Sequence, residues 1–436
     1  MTQDVCRSIV KDVLKMGATE CEACIEDTVE TIMTMERGFV HGKRKKRSKT
    51  FGMRTLLDQR KGFVAGSLPV GSRDDMKKAS LHIARTSVPD TNWKHLPYPR
   101  GTSPVKGIYD KNLASIPFET LREDITTMIT TADEPDITID SGRISCVVKD
   151  FSICNNHGAS CAYTSTRLTV HFVVRCGASE STWGVHHSRQ YDCDFARLAE
   201  ETVERARVMS TPRALHSSFT GDAVFLTEPV EDILLAPLRW CFNAETVERT
   251  RFAHAFGEKV ASPEINIKDD GTLYAGLHTS PVDGEGNPTQ KTDLITKGIL
   301  RNLLHSEYTA NIHGTLSTGN GVRRAVTEPA VGITNLILEK GRASTDELIQ
   351  EVKKGVVIGD FSGNVDPISG LFSGVLEHTS YIEKGEIKYP VTGAMICGNI
   401  FDLLNNVAAL GKEEKTGETG IYTVPALIRS VDIVVQ

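Results

Sequence analysis

The apolar residues of positions 3–16, Val5, Ile9, Val10, Val13 and Leu14, fall at three- and four-residue steps, and Gly17 follows them. That spacing predicts a helix with one buried face, stopped by the glycine. The period then changes. Cys21, Ala23 and Ile25 alternate with Glu20, Glu22 and Cys24, so a strand is expected over 21–35. Further strands are expected over 50–57 and 61–67, joined by a tight turn, with a second helix over 72–86. Residues 88–117 carry prolines at 89, 97, 99, 104 and 117 among few apolar residues and read as a linker. The pattern then repeats. A helix over 118–131 precedes strands between 137 and 188, in which Leu168, Val170, Phe172 and Val174 alternate, and a helix follows over 194–209.

Helix, antiparallel strands, helix, twice over, predicts a duplicated N-terminal α+β region, with one repeat at 1–100 and the second at 101–218. From position 219 to 436 the character changes. A short strand over 223–227 and a helix over 229–249 precede many short strands. These are separated by turns such as DDGT (269–272), DGEGNP (283–288) and EKG (383–385). That regime predicts a β-rich domain curling toward a barrel. One helix is expected inside it, with Asn399 as N-cap and Ile400, Leu403, Leu404 and Val407 as its apolar face. The expected class is α+β.

A chain of 436 residues exceeds what one core sustains, so more than one domain is expected. Hydrophobic content of 39% and charged content of 24% are ordinary for a globular protein. No apolar run is long enough to cross a bilayer, and the N-terminus lacks the apolar centre of a signal peptide, so no membrane association and a cytoplasmic location are expected. Net charge of -6 is a poor background for nucleic-acid binding. The one basic run, Lys43 to Lys49, has no interleaved aromatics and reads as a solvated hairpin tip. Cys21 and Cys24 form a lone CxxC without a second ligand pair at zinc spacing, so the ten cysteines are expected as reduced thiols.

The stretch GDFSGNVDPISGLFSG (359–374) has the glycines of a phosphate loop but no G-x-x-x-x-G-K-[ST]. Ser362 has Asp360 rather than Gly two positions before it, so it is no nucleophile elbow. Glu377-His378 has Gly374 where an inverted zinc motif needs histidine. His254 and Glu258 are spaced to share a helix face, yet two ligands fall short of the three that catalytic zinc requires. His186 and His187 face opposite sides of a strand. Arg323 and Arg324 either form an exposed turn or present guanidinium forks to a carboxylate or phosphate. Motifs alone nominate no catalytic residue.

Two segments resemble the TldD/PmbA family: SPVDGEGNPTQKTDLITKGILRNLLHSEYTA (280–310) and GVVIGDFSGNVDPISGLFSGVLEHTSYIEKGEIKYPVTGAMICGNIFDLLNNV (355–407). The order of a strand and glycine turn, I-S-G, I-E-x-G-x-I, Y-P-V and C-G-N before an amphipathic helix carries the likeness. GATECEACIED (17–27) and FGMRTLLDQRKGFVAGS (51–67) agree with it. The resemblance implies a cytosolic metallopeptidase system of two kinds of subunit. TldD-type subunits carry His-Glu-x-x-x-His and a late cysteine as zinc site. PmbA/TldE-type subunits lack those ligands, and the pair degrades unstructured peptides and trims leader peptides. The older label, modulator of DNA gyrase, implies no DNA contact.

On that pattern Ala236 stands at the first histidine, Pro237 at the glutamate and Cys241 at the second histidine, and the loop GKEEKTGETG (411–420) has no cysteine. The resemblance therefore implies a PmbA/TldE-type subunit with no catalytic residue and no metal of its own. Zinc is expected in a TldD-type partner, within a heterodimer or higher oligomer. Arg323, Arg324, Asp360, Ser362, Asn364 and Asn399 are the candidate substrate or subunit face. The alternatives are an independent peptidase using Cys241 or the His254/Glu258 pair, and a non-enzymatic regulatory binding protein.

Overall fold

The structure, a computed structural model, describes residues 2–67, 73–323 and 326–435. One plan is used twice in the N-terminal half. Helix α1 (Thr2–Lys15), strands β1 (Glu20–Glu36), β2 (Phe39–Leu57) and β3 (Arg60–Ser67), and helix α2 (Arg73–Thr86) make the first round. A short helix α3 (Lys111–Ala114) leads into α4 (Phe118–Thr131). Strands β4 (Ile137–Asn155), β5 (Ser160–Cys176) and β6 (Thr182–Ser188), with helix α5 (Phe195–Val208), complete the second. The two rounds share one sheet. β1 pairs antiparallel with β4 from Glu22↔Asn155 to Glu36↔Ser141, giving the order β3-β2-β1-β4-β5-β6.

Strand alternation divides this sheet into two faces. Cys21, Ala23 and Ile25 pack with Cys6, Ile9 and Val13 of α1. Met33 and Met35, on the same face of β1, join Leu168, Val170 and Phe172 of β5 under α4 and α5. The opposite face meets the C-terminal half through Cys24, Phe151, Ile153 and Cys161, which pack with Val282.

Two sequence expectations change here. Residues 88–117 are docked rather than free. Trp93 and Leu96 are buried with Leu56, and Ser103 N–H bonds the Pro281 carbonyl at 2.9 Å. Few apolar residues suffice to anchor a segment whose prolines already hold it extended. The basic run 43–49 lies within β2, not at the hairpin tip, which is at Arg37 and Gly38 with φ of 50° and 76°. Asp27 on β1 holds Arg47 at 2.8 Å and Lys49 at 3.5 Å. That arm faces solvent, so no apolar alternation marks it as strand.

In the C-terminal half, nine strands form a continuous path. It runs from Asp360–Val365 through Leu371–Glu377, Ala394–Asn399, Ala426–Val435, Phe219–Phe225, Lys354–Ile358, Thr379–Glu383 and Glu386–Thr392 to Arg213–Ala214; Val407–Leu410 pairs beside it. A six-stranded sheet centred on Ile267–Asp270 and Leu336–Leu338 lies in the same half. The expected curl into a barrel stops short of closure: among the described residues the two ends of the long sheet do not pair. A helical run, Thr227–Pro229, Val230–Leu235 and Ala236–Phe242, supplies Ile233, Leu234, Leu238 and Phe242 to a core that includes side chains of both sheets. Val230–Leu235 is a π-helix, with Ala236 N–H bonding the Glu231 carbonyl, immediately before Pro237. Pro237 has no N–H to continue the ladder, and the wider turn absorbs that loss.

Candidate functional site

Glu22 on β1 and Arg54 on β2 are direct cross-strand partners on the face toward the C-terminal half. Arg54 Nη2 donates to Glu22 Oε2 and to Glu285 Oε1, both at 3.1 Å. Arg323 Nη1 donates to Glu22 Oε1. Glu285 Oε2 accepts the Glu307 backbone N–H at 2.8 Å. All four charged side chains are buried, and the Arg54 guanidinium stacks 5.1 Å from the Trp93 ring. Asp283 beside them accepts the backbone N–H groups of Glu285, Asn287 and Gly321, each at 2.9 Å. Burial, with Glu285 adding to it, raises the Asp283 pKa to about 8. Burial also raises Glu285, against the pull of Arg54. Two guanidinia and two carboxylates thus pin the halves together where either charge alone would be costly.

Next to this pin is a cavity of about 880 Å³. Its floor is the open face of β4 and β5, and its other walls are the loop 276–284, the segment 331–334 and the helix Ala236–Phe242. Cationic side chains dominate it. Lys149 lies 3.7 Å from Glu26, and burial lowers its pKa. Arg167 Nη2 donates to the Leu277 carbonyl at 3.2 Å and to His278 Nε2 at 3.3 Å. The Arg189 guanidinium donates to the carbonyls of Gly276, Thr166 and Thr279 at 3.1–3.2 Å, so it clamps the loop to the sheet. Burial, with Arg167 nearby, lowers Arg189 to about 10, leaving it charged at neutral pH. Burial and these two arginines hold His278 at about 3, so a neutral imidazole accepts from Arg167. Arg239 Nε donates to the Ala236 carbonyl at 2.8 Å. Among the described residues no carboxylate ion-pairs with Arg167, Arg189 or Arg239, whose partners are carbonyls and one imidazole.

The helix carrying positions 236, 237 and 241 forms part of this wall, contributing Arg239 and Trp240, with Asn243 just after it. Cys241 points the other way, into the core, and burial pushes its thiol up to about 12. The loop 411–420 lies along the start of the same helical run: Lys415 Nζ meets Glu228 Oε1 at 2.6 Å, and Thr419 donates to Glu231 at 2.8 Å. Among the described residues no three His, Cys, Asp or Glu side chains converge on a point that could hold a metal.

Of the residues singled out from sequence, Arg323 is in the cavity wall, and its Nε and Nη2 have no hydrogen-bond partner. Arg324 lies outside the described residues. Asp360, Ser362 and Asn364 are on a terminal strand of the long sheet, away from the cavity. Asp360 is buried beside His378, and burial foremost raises its pKa to about 7. Asn399 is the N-cap of Ile400–Asn405, accepting Phe401 N–H at 3.0 Å, and its Nδ2 braces the turn through the Ser369 carbonyl at 2.9 Å. His254 and Glu258 are exposed in a turn-rich segment, so the expected shared helix face does not form. His186 bonds Asp192 at 3.0 Å, whereas burial lowers His187 to about 4.

Glu22, Arg54, Lys149, Arg167, Arg189 and Arg239 were not nominated from sequence. Their signal was present on the strands: Glu22 and Arg167 occupy the positions out of phase with the apolar alternation of β1 and β5. An out-of-phase polar position ordinarily faces water, and nothing local announces that a second body covers that face.

A duplicated α+β half docked on a β-rich half, with a ligand-sized cavity between them, defines the class of protein. The chain belongs to the PmbA/TldD family. Residues 220–434 match the PmbA/TldA metallopeptidase C-terminal domain, and residues 111–210 match the PmbA/TldA metallopeptidase central domain. An uncharacterized protein of Methanocaldococcus jannaschii is 27% identical over 376 residues, 84% of this chain and 85% of that one. Metalloprotease PmbA of Escherichia coli O157:H7 is 28% identical over 273 residues, which span 60% of this chain and 57% of PmbA. The crystal structure of TldE from Thermococcus kodakarensis matches with a TM-score of 0.90 at 21% identity, over 98% of this chain and 99% of that one, a likeness of fold.

Proposed function

We propose that this chain is the PmbA/TldE-type subunit of a cytoplasmic two-subunit peptidase, and that hydrolysis belongs to a zinc-bearing TldD-type partner. The observation that carries this is the set of side chains on the helix Ala236–Phe242. Alanine and proline offer a metal no donor atom, and Cys241 is turned into the core. These residues do not fit a zinc ion, and no glutamate stands where a general base for zinc-bound water would be needed. The cavity beside that helix would then hold or guide an extended peptide rather than cleave it. An independent peptidase gains no support from His254 and Glu258, which are exposed on a turn-rich segment. A regulatory, nucleic-acid-contacting role for 43–49 gains little from a chain whose net charge is -6, and Arg47 and Lys49 of that run already pair with Asp27.

The test is to purify the chain alone and together with a sister chain carrying His-Glu-x-x-x-His, then measure zinc content and cleavage of an unstructured peptide. Zinc and cleavage are expected only when the sister is present. Stoichiometric zinc with cleavage by this chain alone would overturn the proposal.

A further inference from the structure

We propose that the cavity between the two halves selects acidic peptides, with Arg167 and Arg239 receiving the side-chain carboxylates of an extended segment. That the ligand is a peptide rests on the proposed function; that it is anionic rests on the cavity itself. Buried and half-buried charges in a folded protein are ordinarily compensated. Here half-buried Arg167 uses one nitrogen, Nη2, on a carbonyl and an imidazole, and Arg239, exposed to solvent where it lines the cavity, uses only Nε, on a carbonyl. Both keep guanidinium N–H groups in reserve, in the planar fork that matches a carboxylate. Arg189, also in the cavity wall, bonds a carbonyl from each of its three nitrogens and has no carboxylate to balance its charge among the described residues.

The acidic groups nearby do not cancel this excess. Glu26 is matched by Lys149, and Asp283 is held by three backbone N–H groups. Glu418 acts on Arg167 from an exposed loop, and Glu231, held by the Thr419 hydroxyl, acts on Arg239 from the same helical run, neither forming an ion pair. The cavity's volume falls in the range of roughly 300–1,000 Å³ used for small ligands. Trp240, 46% exposed, offers an apolar wall for a side-chain stem. A nucleic acid fits less well. The cations sit inside a pocket rather than along a stripe, and the chain as a whole carries a charge of -6.

The experiment titrates the full-length chain, without partner, with three labelled peptides of one length: Glu-containing, the same with Gln for Glu, and the same with Lys. Anisotropy is read at low and high salt, with sodium acetate and inorganic phosphate as competitors and a single-stranded oligodeoxynucleotide as a comparison polyanion. The Glu peptide should bind about 10-fold or more tightly than the Gln peptide, with the preference shrinking at high salt. R239Q and R167Q should each remove most of that preference for the Glu peptide over the Gln peptide. Arg239 is exposed, so R239Q and R239E decide the matter if circular dichroism shows R167Q misfolded. Equal affinity for Glu and Gln peptides, no detectable binding of the Glu peptide, or tighter binding of the oligonucleotide would each overturn the inference. So would competition by phosphate without competition by acetate. Failure to find a zinc-bearing sister would remove the peptidase-subunit assignment but leave a measured charge preference standing. Cleavage by the complex without any charge preference would remove only the present inference.

Discussion

Arg54 and Glu285 meet at 3.1 Å although 231 positions separate them along the chain. With Glu22 and Arg323 they join the first sheet to the C-terminal half in a dry site. Removing one partner strands a buried charge, so E22A or E285A should each cost about 3–5 kcal/mol in chemical denaturation. A change within about 0.5 kcal/mol, the range of a surface substitution, would show that the network does not pin the halves.

The cysteines should differ sharply in reactivity. Cys397 is exposed, whereas Cys6, Cys21, Cys24 and Cys241 are buried; burial raises the pKa of the last three, and the neighbouring Cys154 thiol, with burial, raises that of Cys6. The thiolate is the reactive form. A thiol reagent on the native protein should therefore modify Cys397 first, a phase that C397S abolishes, and reach Cys241 only after denaturation. Fast native labelling of Cys241, mapped by mass spectrometry, would contradict its placement in the core.

Asp360 gives stability a pH dependence of defined sign. Its folded pKa of about 7 stands above the ordinary 3.8, so the fold binds this proton more tightly than the unfolded chain does. The resulting stabilisation is full below the unfolded pKa and is lost as pH rises through the folded one. Between about pH 4 and 7 the wild type should lose Tm relative to D360N, with the gap constant above that window. Parallel Tm profiles for the two proteins would show that Asp360 does not titrate in this way.

The glycine-rich hairpin at 359–374 is built by close approach. Gly363 and Gly374 are cross-strand partners, and a Cβ on Gly374 would meet the Phe361 ring at 2.5 Å and Gly363 Cα at 2.6 Å. G374A should therefore destabilise the protein by about 1–3 kcal/mol, the cost of overpacking. A substitution without effect on thermal unfolding would mean that the ring moves aside freely.

What the sequence by itself determined is local. The helix 118–131 appears at the predicted bounds, because i, i+3, i+4 spacing needs only neighbours to be read. The Asn399 cap forms as expected because a cap is a bond between residues two apart. Family membership was legible too, in runs of turn and strand residues that stand together in the chain. Tertiary structure alone decided that two rounds of strands join through β1 and β4, that the two ends of the long sheet stay unpaired among the described residues, and that Glu22 finds Arg323 301 positions away. It also decided that Arg167, in a phase that usually faces water, lines a cavity instead. A charged side chain carries no local mark of what will cover it; burial and partner are settled only when distant segments pack, because the same residue is stable in water or beside an opposite charge.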